Sequence, residues 1–103
     1  MGSLDAFARD AGIPVRHAGG LMLIRHSDAL SLVDALAAAG VRILGLEGFD
    51  VEGSYVRSDM GLIADFSDVV EPSESATAAR RFIEATTRPD VFFEFSIAEE
   101  RSR

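Results

Sequence analysis

The sequence predicts an α+β protein, a ferredoxin-like βαββαβ sandwich in which an antiparallel sheet carries two helices on one face. Three observations lead there. Apolar residues alternate at Val91, Phe93, Phe95 and Ile97, with Glu94 and Ser96 between them, the period of a half-buried strand. They recur at helical spacing in Leu32, Val33, Leu36 and Ala37, and again in Ala79, Phe82 and Ile83. Between these stripes, Val41 to Ser67 is an apolar, glycine-punctuated segment with enough strand for a hairpin. At 103 residues the chain reads as a single domain over 1–103. That length buries roughly 60 to 70% of the unfolded surface and needs no staple.

Each element has its own local reason. Ser3 can cap a short helix over about 3–12, with Leu4, Phe7, Ala8 and Ala11 on one face and Gly12 and Pro14 ending it. This helix is an appendage to the domain. The Gly19-Gly20 turn leads into a strand, Leu21 to Arg25. Ser27 is a candidate cap for the next helix, which runs to Ala39 before Gly40. Strand, helix and the strand after Gly40 then make a βαβ crossover.

Within the central segment, Val41, Ile43 and Leu44 open a strand that Phe49 and Val51 close. Gly45 and Gly48 predict a bulge or a close backbone approach between them. Gly53-Ser54 suits a two-residue turn with glycine first. The returning strand kinks near Asp59-Met60-Gly61, so the segment is two long bent strands or three short ones. After a polar loop, Pro72 with Ser73 or Ser75 starts the last helix, to Thr86, and Arg88-Pro89 ends it.

Composition narrows the function. All ten basic residues are arginine, seventeen acids oppose them, and the net charge is −7. A basic patch able to neutralise phosphates is not expected, nor therefore is direct nucleic-acid binding. There is no cysteine, which removes disulfides, thiolate metal sites and a cysteine nucleophile together. EF-hand spacing is absent, and Gly45 to Gly48 lacks the lysine and following helix of a phosphate loop, so no metal or cofactor is expected. No apolar run approaches the ~18 residues of a membrane span, and the start lacks a signal-peptide pattern. The expected location is the cytoplasm.

The charge is unevenly placed. From Val41 to Ser75 there are eight acids against Arg42 and Arg57. Among them, Glu47, Asp50, Glu52, Asp59, Asp65 and Asp68 are interleaved with Phe49 and Tyr55, and these eight residues form the candidate partner-binding surface. Such a surface steers toward a basic protein, with Tyr55 or Phe49 as anchor. The competing reading is an acidic guard on a sheet edge. Catalysis by paired carboxylates would need two of them to converge across a cleft at about 5 to 9.5 Å.

Two family resemblances bear on these residues. The run LMLIRHSDA, 21–29, resembles the strand-then-Arg-His signature of histidine phosphatases, which would make His26 the nucleophile and Arg25 a phosphate ligand. It departs from that pattern at Ser27, and the second histidine, His17, lies upstream where the family has one far downstream. The resemblance is therefore taken as accidental and no catalytic residue is assigned.

The passage DALSLVDALAAAGVRILGLEGFDVEGSYV, 28–56, together with the order of elements, resembles small immunity proteins of bacterial polymorphic toxin systems. The likeness runs from Leu21 to Ile97. Some of those proteins carry a Gly-Gly-Asp step and a Tyr-Asp aromatic run where this chain has Gly45-Leu46-Glu47 and Ile63-Ala64-Asp65-Phe66. The resemblance implies a non-enzymatic inhibitor that occludes a toxin, and the acidic segment points to a basic one such as a nuclease. The alternative is a small-ligand sensor acting as a homodimer through its sheet edges.

Overall fold

The computed structural model describes residues 4–98. Along them run α1 (Leu4–Asp10), β1 (Arg16–Ala18), β2 (Leu21–Arg25), α2 (His26–Ala38), β3 (Ile43–Glu52), β4 (Tyr55–Asp65), α3 (Pro72–Ala85) and β5 (Phe92–Ile97). The strands form one antiparallel sheet in the order β1-β2-β5-β3-β4. The α+β class and the β-α-β-β-α-β run from β2 to β5 match the sequence reading. The ferredoxin-like arrangement is not established by this strand order. β2, β5 and β3 occupy its interior, and the unforeseen β1 adds an edge beyond β2.

One core lies between the helices and the sheet. Ala29, Leu32, Val33 and Leu36 of α2 and Ala76, Ala79 and Ile83 of α3 cluster with Ile24, Ile43, Leu46, Phe93 and Phe95 of the strands. Ala8 of α1 joins the same cluster, so the N-terminal helix packs as part of the core more than as an appendage. Its proposed cap, Ser3, lies outside the described residues. Phe93 is the largest fully buried side chain, with Phe82 edge-on at a centroid distance of 6.2 Å. Outside the core, Arg80 of α3 reaches Asp34 of α2 at 2.6 Å.

The helix caps differ from expectation. α2 begins at His26 with Arg25 in the cap position, so Ser27 is already inside the helix. The His26 N–H instead donates to the Val91 carbonyl at 3.0 Å, and β5's entry does the work of a cap. α3 begins with Pro72 after Glu71. Ser75, fully buried, accepts from the Ile43 N–H at 3.0 Å and donates to the Pro72 carbonyl at 2.9 Å. One hydroxyl thus ties α3 to the start of β3. Ser75→Ala would leave the Ile43 N–H buried without an acceptor, and chemical denaturation should show a loss of about 1 to 3 kcal/mol.

β3 bends where its glycines allow. Its register shifts against β5 between Ile43 and Gly45, and against β4 between Glu47 and Phe49. At Gly45 a Cβ would stand 2.8 Å from the Ala64 carbonyl oxygen, so the two backbones approach more closely than alanine permits. The Gly53-Ser54 turn has φ +61° at Gly53 and no positive φ at Ser54, the geometry expected of a glycine-first turn. The central segment is therefore two long strands.

The kink expected in β4 is a multi-residue bulge. Glu47 pairs with Ile63 and Phe49 with Ser58, leaving Asp59 to Leu62 opposite Gly48 alone. The Gly61 N–H donates back to Asp59 Oδ1 at 3.0 Å. Because β4 is an edge of the sheet, this bulge breaks the row of free backbone groups that another chain could pair with.

On the face away from the main core, Leu23 and Phe49 are also buried. The sheet curls to cover them. Arg16 of β1 donates to the Gly53 carbonyl at the far hairpin, and Gly19 lies against Val56 of β4.

Candidate partner-binding site

The end of the β3–β4 hairpin and the loop after α3 enclose an open cleft of about 340 Å³ lined by Asp50, Glu52, Tyr55, Arg57, Arg88 and Asp90. Arg88 organises it. Its guanidinium bonds to the carboxylates of Asp50 on β3 and Asp59 in the β4 bulge, while Asp90 stands 3.9 Å from its Nε. The Asp50 carboxylate holds this guanidinium above its ordinary pKa. Arg57, the register partner of Asp50, lies 3.9 Å from its other oxygen. The loop, the hairpin and the bulge are thereby fixed to one another.

The eight nominated residues separate into three groups. Asp50, Glu52, Tyr55 and Asp59 come together at the hairpin end. Asp50 and Asp59 are engaged by Arg88, whereas Glu52 is exposed with no ion pair among the described residues. Tyr55, register partner of Glu52, is 64% exposed. Asp65 and Asp68 lie at the opposite end of β4. Asp65 accepts from the Ser67 N–H at 2.9 Å, and bonds from the Ser67 side chain and backbone hold its carboxyl below the usual range.

Glu47 and Phe49 face the other side of the sheet, because they pair with Glu94 and Phe92 on β5. Phe49 is only 7% exposed, so it belongs to the packing and the anchor role falls to Tyr55. Glu47 accepts from Ser58 Oγ at 3.0 Å. Its neighbour Glu94 is pushed above the usual carboxyl pKa by burial first and by Glu47 second. Ionising Glu94 therefore opposes folding: its favourable contribution is complete below the unfolded pKa and is lost as pH rises through the higher folded one. Glu94→Gln should raise the thermal midpoint at neutral pH and leave it little changed near about pH 4, where the carboxyl is largely protonated anyway. A larger gain in acid than at neutrality would contradict this assignment.

Arg88, Asp90 and Glu94 were not among the residues singled out from sequence. Arg88-Pro89 reads as a helix stop, and nothing local reveals that its side chain crosses to two strands. His26 packs its ring 5.9 Å from Phe93 and sets Nε2 3.3 Å from the Ile83 carbonyl, between the start of α2 and α3. Among the described residues, no group of three or more histidine or carboxylate side chains is placed to hold a metal ion, and no helix is long and apolar enough to cross a membrane. No protein-family model, curated protein or solved structure matches the chain.

Proposed function

We propose that this protein is a non-enzymatic inhibitor that binds a basic protein partner through the β3–β4 hairpin end, as an immunity protein binds its toxin. The observation that carries this reading is Tyr55, a 64% exposed aromatic beside Glu52, whose carboxylate makes no ion pair among the described residues, on a hairpin that Arg88 ties to the loop after α3. A fixed aromatic loses little conformational freedom on binding, and surrounding carboxylates draw in a cationic surface. The proposed partner is a toxin such as a nuclease, met in the cytoplasm. The test is co-expression with the product of the neighbouring reading frame in bacterial cells. A stable complex and restored growth support the proposal. Toxicity that persists with both proteins present and soluble opposes it.

The cleft itself favours a second reading. Its volume of about 340 Å³ falls in the range of small-molecule sites, and its arginines and carboxylates would suit a zwitterion such as an amino acid. A saturable thermal shift with amino acids or nucleotides, abolished by Arg57→Gln, would favour this sensor over the inhibitor.

A further inference from the structure

A second, smaller cavity of about 110 Å³ lies on the opposite face of the sheet from the hairpin cleft, lined by Pro14, Val15, Arg16, Arg25 and Phe92. Two guanidinium groups line it and no carboxylate does. Arg25 and Phe92 are register partners across β2 and β5, and Arg16 stands over the Phe92 ring at 5.9 Å. Arg16 is tethered by this cation–π contact and by its bond to the Gly53 carbonyl. Arg25 is exposed and, among the described residues, its side chain takes part in no hydrogen bond or ion pair. In a chain of net charge −7 this cavity is a basic exception. Arg57, Arg80 and Arg88 all meet carboxylates.

Neither guanidinium makes an ion pair among the described residues. Glu94, two residues beyond Phe92, is pushed above the usual carboxyl pKa by burial and by Glu47. We infer that the Arg16–Arg25–Phe92 cavity is an oxyanion site, which takes one carboxylate or phosphate group between its two guanidiniums and seats the attached carbon skeleton against Phe92 and Pro14. Planar guanidiniums bind such groups through paired, charge-assisted hydrogen bonds. The cavity holds a head group and little more, so the rest of the ligand extends into solvent. The site is separate from the hairpin cleft and stands whatever occupies that cleft.

The intact protein would be titrated with inorganic phosphate, with benzoate, and with sodium chloride at matched ionic strength, following the arginine Nε–H signals and the Phe92 amide by NMR. The expected result is a saturable shift of Arg16, Arg25 and Phe92 with phosphate, benzoate or both, and none with chloride. Phosphate alone would assign a phosphate group, and benzoate alone a carboxylate. Arg25→Gln should weaken the apparent affinity by about tenfold or more, since it removes a charged donor pair, while the exposed position leaves the thermal midpoint unchanged. Arg16 is not the variant of choice because it also secures the hairpin. No saturable shift with either anion, or saturation that survives Arg25→Gln, would overturn the assignment.

Discussion

Replacing Phe93 by alanine should cost about 3 to 5 kcal/mol of folding stability, the loss typical of a deeply buried aromatic. The ring is fully buried where β5 crosses the middle of the sheet, edge-on to Phe82 and 5.9 Å from His26. It therefore packs against both principal helices. Urea denaturation of the two proteins gives the difference. A cost within about 0.5 kcal/mol, as at an ordinary surface position, would mean that Phe93 does not face the helices.

Tyr55→Ala should separate binding from folding. At 64% exposure the side chain contributes little to the core, so the denaturation midpoint should move by no more than about 0.5 kcal/mol. Truncating an aromatic anchor at the centre of an interface costs about 2 kcal/mol or more, which is roughly a 30-fold rise in Kd for the partner. Calorimetric titration measures it. An unchanged Kd would move the interface away from the hairpin end. Loss of both binding and stability would mean that the ring packs against its own protein.

Much of the fold was legible because it depends on local periodicity. The alternation through β5, the stripe on α2 and the glycine-first turn at Gly53 are each set by residues a few positions apart, and they appear where expected. Gly45 and Gly48 marked the bend of β3 correctly, since a missing Cβ is a local property with a visible consequence in the register. The strand order was not legible. It depends on which edges β5 and β1 join, and β1 is a three-residue strand held by pairing to β2 rather than by any pattern of its own.

The candidate site was half legible for the same reason. Exposed Tyr55 and Glu52 follow from the turn, as hairpin ends are solvated. Phe49 could not be placed, because its burial arises from the curl that carries Arg16 and Gly19 over to Gly53 and Val56. Nor could sequence show that Arg88, 38 residues from Asp50, removes two of the nominated carboxylates from the free acidic surface. What remains available is smaller: Glu52 beside Tyr55, with Asp65 and Asp68 at the far end of β4.

The association rate of the neighbouring reading frame's product with the wild-type protein and with a Glu52→Gln, Asp68→Asn variant, at low and at physiological salt, tests the inhibitor reading most directly. Neither side chain takes part in an ion pair among the described residues, so the variant keeps the Arg88 clamp intact. Steering acts before contact, so the variant should associate more slowly while dissociating at nearly the wild-type rate. The difference should shrink as salt shortens the range of the field to about 8 Å. Equal association rates, with the variant forming dimers or aggregates that the wild type does not, would contradict that reading and show that the carboxylates only protect a sheet edge.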